Sequence, residues 1–263
     1  MRRYSSDWYW YYAINYTLVI IIIFPIYWTL ISSFKKPSEL ITSEPTFYPH
    51  DLTLQYYDQI WNFDRLKRLQ DADSEDSGTS GVEVESKYRL DGEGVKRPFM
   101  NSAIVSAGTI ILTIIVCTFG GYALTVLNTP LKNFFFLLVI LPILIPGISL
   151  IIPLYKLLKD IGLTNSHLGL ILIHTCGMLP LGIFMMRNAF NSIPSSLREV
   201  AMLEGSSELK IITSVMLPLA IPGLLTVMVF AMYVSWNDYI YAFIFINSPE
   251  NTMLNISLMK IAL

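Results

Sequence analysis

Five long stretches of this chain contain no Asp, Glu, Lys or Arg. They cover 27, 34, 23, 26 and 27 residues and lie between Asp7 and Lys35, Arg97 and Lys132, Lys132 and Lys156, Asp160 and Arg187, and Lys210 and Asp238. A helix needs about 20 predominantly apolar residues to cross a hydrocarbon core of about 30 Å, so each stretch is long enough to span a membrane. One such stretch could be a buried core helix of a soluble protein, but five in succession predict five membrane spans.

The overall composition agrees with this interpretation and argues against other classes of protein. The 263 residues are 53% hydrophobic and only 14% charged, whereas soluble domains contain about 25% charged residues. The deficit argues against a disordered chain and against a basic nucleic-acid-binding protein. The first apolar stretch is longer than the apolar region of a signal peptide, which has roughly 7–15 residues, and no cleavage pattern follows it, so we interpret it as a span.

The block from Lys35 to Arg97 is unlike the rest of the chain, because it holds nine Lys or Arg and thirteen Asp or Glu. Its centre, residues 71–81, is too polar and too small to bury a core. We predict a solvated extracytoplasmic loop over residues 35–98, with a polar insert at 65–95. The acids outnumber the bases, so a nucleic-acid-binding arm is not favoured.

The distribution of basic residues predicts the orientation, because short cytoplasmic loops carry an excess of Lys and Arg. One side of the alternating topology carries six of them: Arg2, Arg3, Lys132, Arg187, Arg198 and Lys210. The other side carries Lys156, Lys159 and Lys260. We therefore predict a cytoplasmic N-terminal segment at 1–12 and the first transmembrane helix at 13–34, with aromatic residues 8–12 at the membrane surface.

Motifs of enzyme chemistry are missing from the sequence, including G-x-x-x-x-G-K-[ST], G-x-G-x-x-G, H-E-x-x-H and C-x-x-C. Cys117 and Cys176 fall inside apolar stretches, where we expect small apolar residues rather than a disulfide or a metal site. His174 lies within the fourth span and is a candidate functional group. Because no carboxylate lies in the same span, we favour a neutral imidazole bonded to nearby backbone. We expect no catalytic residue and no bound metal.

The loop between the fourth and fifth spans is the most informative part of the sequence. Ser196, followed by Glu199 three residues later, predicts a capping box, and Gly205 suits the left-handed stop of a helix. Together they predict a short helix over residues 197–204, with an apolar face at Leu197, Val200 and Ala201. Such a helix could lie on lipid or dock into a partner protein. Acidic residues at Glu199 and Glu204 favour the partner, because anionic lipid would repel them.

The same segment resembles the "EAA" loop of ABC-importer permeases, whose pattern is E-A-A-x-x-x-G followed by I-x-L-P. The matching residues are Glu199-Val200-Ala201, Gly205 and Val215-Met216-Leu217-Pro218, with Val200 and Val215 as mild departures. Further segments are similar to the carbohydrate branch, of the smaller maltose-permease type: Pro25, Tyr27-Trp28, Ser32-Ser33-Phe34-Lys35, Phe99, Asn101-Ser102, Gly121-Tyr122-Ala123-Leu124, Gly162-Leu163-Thr164-Asn165 and Trp236-Asn237-Asp238. The resemblance covers most of the chain.

This resemblance implies an all-α, polytopic transmembrane helix bundle of the ABC type I importer permease fold in a bacterial inner membrane. Residues 99–263 would be the permease core, with a coupling loop at 191–218. The residues that would contact the ATPase are Arg198, Glu199, Val200, Ala201, Glu204, Gly205 and Ser206. The implied partners are a second permease subunit in a heterodimer, two ATP-binding subunits, an extracytoplasmic solute-binding protein and membrane lipid. ATP and Mg would sit on the partner ATPase, with no cofactor on this chain.

Two further expectations concern the shape of the spans. Proline residues predict bends or distortions at Pro142, Pro146 and Pro153 in the third span and at Pro218 and Pro222 in the fifth. Broken helices can line a pathway or be simple packing irregularities, and Trp236 and Asn237 are further pathway candidates by resemblance. Family members have six spans, so we expect the sixth helix to be absent here, through truncation rather than as a natural five-span form.

Other functions remain open at this point. A secondary transporter would show an internal repeat and a mid-membrane charged site, and we find no convincing repeat. A membrane-embedded enzyme would need clustered acids or histidines. Permeases for peptides, amino acids or polyol phosphates share the coupling loop, and only the resemblance around Trp236-Asn237 favours a sugar.

Overall fold

The computed structural model describes residues 7–40, 46–54, 57, 95–127 and 130–262. The chain divides into two compact units, Met1–Gly81 and Val82–Leu263, and the regular structure of the described residues in both is helical. The polar insert predicted at 65–95 lies outside the described residues, apart from Val95.

The first unit is built on one long apolar helix, α1, Asp7–Ser32. Its 26 residues measure about 39 Å at 1.5 Å per residue, which is more than the hydrocarbon thickness. The helix begins at Asp7 rather than at residue 13, so residues 8–12 form its first turns. Apolar side chains are exposed on all sides of the helix, as a helix surrounded by lipid requires.

The segment after α1 folds back on the end of that helix. A short helix, α2, Pro37–Leu40, follows, and the buried ammonium of Lys35 donates to the Thr46 carbonyl and lies 4.8 Å from the centre of the Trp28 ring. Lys36 pairs with Asp51 at 2.8 Å on the surface. Their hydrogen bond raises the pKa of Lys36 and lowers the pKa of Asp51.

Among the described residues, the second unit contains a series of helices. In chain order they are α3 Lys96–Thr125, α4 Lys132–Ile140, α5 Ile151–Asp160, α6 His167–Asn191, α7 Ser195–Leu203, α8 Glu208–Ile211, α9 Leu217–Leu219, α10 Ile221–Trp236, α11 Ile240–Phe245 and α12 Leu254–Ala262. Short 3₁₀ segments at Leu141–Leu144, Gly147–Leu150 and Pro249–Asn251 and a π-helical segment at Ile212–Met216 join them.

The core of this unit forms where α3 and α6 pack against each other and against α10. Small residues allow the close approach, as is typical of helices in membranes. A Cβ atom on Gly182 would lie 2.5 Å from the Cys117 sulfur, and one on Gly121 would lie 2.7 Å from the Met186 Cβ. Only glycine fits at either position without movement of the neighbouring helix.

Two of the five predicted spans are bent. The segments Lys132–Leu144 and Gly147–Asp160 meet at 94°, and Glu208–Leu219 and Ile221–Trp236 meet at 82°. The first bend lies at Ile145 and Pro146, where the backbone leaves the helical region. The second lies at Ala220, between Pro218 and Pro222. Pro153 falls in the first turn of α5, where a missing N–H is tolerated, and the bend lies before it.

Three helices of the described residues, α1, α3 and α6, are long and apolar enough to cross a membrane alone, and the count rises to five if each bent pair is one span. The five charge-free stretches correspond one to one to these five segments. Helix α12 continues to Ala262, and the expectation about a sixth helix stays untested by these residues.

The segment between α11 and α12 is held by asparagine side chains from other elements. Asn165 has a positive φ of 54°, and its Oδ1 accepts from Asn247 N, Ser248 N and Ser248 Oγ, each at 3.0 Å. Asn101 Nδ2 donates to the carbonyls of Glu250 and Thr252 at 2.8 and 3.0 Å. These contacts hold the segment that follows α11 and thereby fix the position of that helix.

The packing of α3 on α6 predicts that a larger residue at position 182 destabilises the protein unless the residue at position 117 is made smaller. Gly182→Ala places a methyl group against the Cys117 sulfur and should lower stability by about 1–3 kcal/mol, as overpacking does. Adding Cys117→Ala removes the clashing sulfur and should restore most of the loss. The thermal unfolding midpoint of the purified protein measures both variants.

Gly177→Ala is the matched control, because a Cβ there meets nothing within 4 Å. Equal midpoints for Gly182→Ala and Gly177→Ala, or no recovery in the double variant, would contradict the packing.

Candidate coupling site

The short helix α7 lies in the loop between α6 and the bent fifth span. The predicted capping box is wrong, because the helix begins at Ser195 and its N-cap is Pro194, with no side-chain capping bond. Pro194 adopts φ −58° and ψ 131°, and its carbonyl accepts from Leu197 N at 3.2 Å. The fixed φ of proline determines the start of the helix, so Ser196 and Glu199 lie inside the first turns instead of capping them.

The C-terminal end of α7 follows the prediction. Gly205 has φ +79°, a left-handed conformation that glycine adopts without steric cost. Its N–H donates to the Met202 carbonyl at 3.0 Å, and the N–H of Ser206 donates to the Ala201 carbonyl at 3.0 Å. This pair of bonds is a Schellman motif, which satisfies the last carbonyls and reverses the chain direction.

A charged cluster attaches α7 to α3 and to α8. Arg198 Nη2 donates to Glu208 Oε1, while Tyr122 Oη donates to Glu208 Oε2 at 2.7 Å. Arg198 Nε also donates to the Tyr122 hydroxyl at 3.3 Å. Each of the three side chains therefore contacts the other two, from three different helices.

The guanidinium of Arg198 stays charged at pH values near neutrality. The hydrogen bond with Glu208 raises the pKa of Arg198 above its ordinary value, and partial burial opposes this effect only in part. Tyr122 is 1% exposed, and its ring packs edge-on against Phe190 of α6 with centroids 5.6 Å apart. The buried tyrosine thus connects the surface ion pair to the packed helices.

The two sides of α7 differ in their surroundings. Ala201 is buried in the core cluster formed with Ile211, Ile212 and Met216. On the other side Val200 is 54% and Leu203 is 88% exposed. Of the predicted contact residues, the exposed ones are Glu199, Val200, Glu204 and Gly205, the partly buried ones are Arg198 and Ser206, and the buried one is Ala201.

The pathway candidates lie at the two ends of α10 and at the bend of the third span. Helix α10 has 16 residues and is about 24 Å long, with Pro222 at the α7 end and Trp236 at the far end. The Trp236 ring packs edge-on against Phe99, with centroids 5.6 Å apart, and Asn237 Nδ2 donates to the Tyr233 carbonyl at 3.0 Å. Pro142 precedes the other bend, and Pro146 lies at it.

Sequence reasoning missed two sets of contacts. Glu208 and Tyr122 are 86 positions apart, and no local spacing connects them. His174 Nε2 lies 3.4 Å from Asp238 Oδ2, with both side chains buried, so the predicted backbone partner of His174 is wrong. The carboxylate comes from another element, after α10. Among the described residues no group of three or more His, Cys, Asp or Glu could hold a metal.

The charged cluster predicts a measurable coupling energy. In a double-mutant cycle, Arg198→Ala and Glu208→Ala should each lower stability, with an interaction of about 0.5–1 kcal/mol, because the pair is only partly buried. Thermal unfolding of the purified protein measures it.

Lys36→Ala with Asp51→Ala is the control cycle, since that pair is 50% and 69% exposed and should show a smaller interaction. A zero interaction at Arg198 and Glu208 would show that the pair does not hold α7.

Comparisons with known proteins agree with this geometry. A family model for the "binding-protein-dependent transport system inner membrane component" matches residues 113–261, more than half of the chain. The inner membrane ABC transporter permease protein YcjP of Escherichia coli is 30% identical over 240 residues, which are 91% of this chain and 76% of that protein. The diacetylchitobiose uptake system permease protein NgcG of Streptomyces coelicolor is 27% identical over 232 residues, 87% of this chain and 67% of that protein.

Three further relatives, 31–33% identical, are matched over only 54–56% of their own length. A crystal structure of a bacterial ABC transporter involved in the import of the acidic polysaccharide alginate has a TM-score of 0.72 at 20% identity, covering 99% of this chain and 82% of that chain. This likeness shows the fold and confirms the predicted all-helical permease architecture. The chain belongs to the family of inner membrane components of binding-protein-dependent transport systems, the permease subunits of ABC importers, which are not catalytic themselves.

Proposed function

We propose that the chain moves a sugar or related solute into the cell and that α7 couples this movement to ATP hydrolysis on a partner ATPase. The observation that carries the proposal is the two-sided construction of α7. Arg198 and Ala201 fix one side to the rest of the unit, while Val200 and Leu203 present exposed apolar groups on the other. A short helix held in this way fits a groove on a partner protein.

Lipid is a poorer occupant of the same surface. Helix α7 has nine residues, and exposed Glu199 and Glu204 lie beside its apolar groups. An interfacial helix usually carries Lys and Arg on its polar face, which attract anionic headgroups. Acids in these positions would be repelled, so the surface is better suited to a protein.

The partners follow from the same proposal. Two ATP-binding subunits would carry ATP and Mg, because this sequence has no G-x-x-x-x-G-K-[ST] phosphate loop. A second permease subunit would form a heterodimer with this chain, membrane lipid would surround both, and an extracytoplasmic binding protein would deliver the solute.

A contact between α4 and α6 supports the cytoplasmic placement of α7. The Arg187 guanidinium lies 3.8 Å from the centre of the Phe136 ring, and its Nη2 donates to Asn133 Oδ1 at 3.5 Å. The basic ends of α4, at Lys132, and of α6 therefore lie on one side. Basic residues on one side are expected to face the cytoplasm.

The sugar class is supported by the names of relatives, including diacetylchitobiose uptake for NgcG and alpha-glucoside transport for AglG of Rhizobium meliloti. The sequence also resembles the carbohydrate branch at Trp236-Asn237-Asp238. Both supports point to sugars as the first solutes to test.

Leu203→Asp tests the coupling contact. Leu203 is 88% exposed, so the change should leave folding intact while it puts a charge into the ATPase groove. We expect co-purification of the ATPase subunit with this chain to fall at least about tenfold, equivalent to about 1.4 kcal/mol.

Ile161→Asp is the matched control, because Ile161 is also an exposed apolar residue and lies in the turn before α6, at the end opposite α7. Unchanged co-purification with Leu203→Asp would contradict the coupling role of α7.

Uptake measurements test the solute class. Cells that express this chain with its ATPase, second permease and binding protein should accumulate radiolabelled maltose or diacetylchitobiose, and the Leu203→Asp variant should not. Accumulation of labelled glutamine, a dipeptide or glycerol 3-phosphate in place of both sugars would contradict the sugar class and leave the permease assignment in place.

A further inference from the structure

A cavity of about 300 Å³ lies where the end of α10, the start of α11 and the second arm of the bent third span meet. This volume is at the lower end of the range of small-molecule sites, roughly 300–1,000 Å³. Its lining is mostly apolar, with Ile148 from the third span and Asn237, Asp238, Tyr239 and Tyr241 around α11. A mostly apolar wall with a few fixed polar groups is typical of a ligand site.

The cavity adjoins a break in a membrane-spanning helix. At Ile145 the backbone is extended, with φ −92° and ψ 121°, and Ile148 follows two residues after Pro146. Backbone that leaves the helix at membrane depth is tolerated where it is buried in protein or lines a water-filled space. The break and the cavity together favour a water-filled space at the end of α10 opposite α7.

A buried acid holds the rim of the cavity in place. Asp238 Oδ1 accepts from Tyr241 N at 3.1 Å, and Oδ2 accepts from Ala242 N at 2.9 Å and faces His174 Nε2 at 3.4 Å. The side chains of His174 and Asp238 are 3% and 9% exposed. Tyr241 Oη donates to the Gly147 carbonyl at 3.2 Å. The start of α11 is thereby tied to α6 and to the broken span.

The groups left open at the rim are neutral. Asn237 uses its Nδ2 for the Tyr233 carbonyl and keeps its Oδ1 available as an acceptor. The exposed Tyr239 ring stacks on Phe243 at 5.6 Å and 15°, which fixes the plane of a phenol. The Asp238 side chain is only 9% exposed and faces the N–H groups of Tyr241 and Ala242 and the His174 ring, so the lining presents no exposed charged group to a zwitterion or a phosphate.

We propose that this cavity is a contact site for the transported solute and takes a neutral molecule with several hydroxyl groups. Asn237 accepts a hydroxyl hydrogen bond and Tyr239 offers a hydroxyl and a ring edge. Asp238, backed by His174, is a positioning residue that acts through α11. The proposal rests on the proposed transport function and adds the place and the chemistry of a solute contact.

Water access is the first test. In a Cys117→Ala, Cys176→Ala background, Asn237→Cys and Tyr239→Cys are introduced separately into the reconstituted transporter and treated with a charged, water-soluble methanethiosulfonate. Both should react at least about ten times faster than Ile21→Cys, a control in the middle of α1 whose side chain is 61% exposed but faces lipid. Rates equal to that control would overturn the proposal.

Protection by solutes is the second test. Maltose or diacetylchitobiose should slow labelling of Tyr239→Cys at least about threefold, whereas alanylalanine and glycerol 3-phosphate should not. A transporter that imports one of these sugars without protection at position 239 would overturn the site. Protection by a charged solute would overturn the neutral class. Absence of sugar uptake refutes only the proposed solute class, while the labelling rates still decide on the cavity.

Uptake kinetics test the positioning role of Asp238 and His174. Asp238→Asn and His174→Gln should raise the sugar concentration that half-saturates uptake at least about fivefold, because α11 shifts at the rim. Ser235→Ala is the control, since its hydroxyl bonds only within α10, to the carbonyls of Ala231 and Met232. A merely structural role would lower the amount of assembled transporter and leave half-saturation unchanged, and that outcome would overturn the role.

Discussion

The close approach of α3 and α6 is the contact on which the second unit depends. At Gly121 and Gly182 the helices come so near that a methyl group does not fit. This approach places Tyr122 against Phe190, with its hydroxyl where Arg198 and Glu208 can reach it. Because lipid provides no hydrophobic force between apolar helices, packing of small residues and polar contacts must hold them together. The position of α7 is therefore set by the same packing that forms the core.

The bend of the fifth span connects α7 mechanically to the membrane-spanning helix α10. After Gly205 the chain passes through α8, the π-helical segment Ile212–Met216 and α9, and then turns by 82° into α10. A displacement of α7 would reach α10 through this short arm and α3 through Tyr122. These two connections, to α10 and to α3, fit a helix that transmits movement. The proposed solute cavity lies at the far end of α10, where a movement of that helix would change the shape of the cavity.

The spans could be predicted from the sequence because charges are too costly to repeat inside a membrane, and the stop at Gly205 because a left-handed residue favours glycine. Local rules failed where a neighbouring proline or a residue distant in the chain decides. Ser196 looked like a cap, but Pro194 determines the start of α7. Pro153 is harmless because it falls in a first turn, while Pro146 lies at a bend. The pairs Tyr122–Glu208 and His174–Asp238 form across elements, and no spacing in the chain encodes them.

Site-specific photo-cross-linking decides whether the exposed side of α7 docks on an ATPase, as we propose. A benzoylphenylalanine at position 203 in the assembled transporter, irradiated in native membranes, should form a covalent product with the ATPase subunit. The same group at position 161 should not. A probe at position 203 that reacts with lipid alone, while the transporter remains assembled, would show that α7 does not dock on the ATPase.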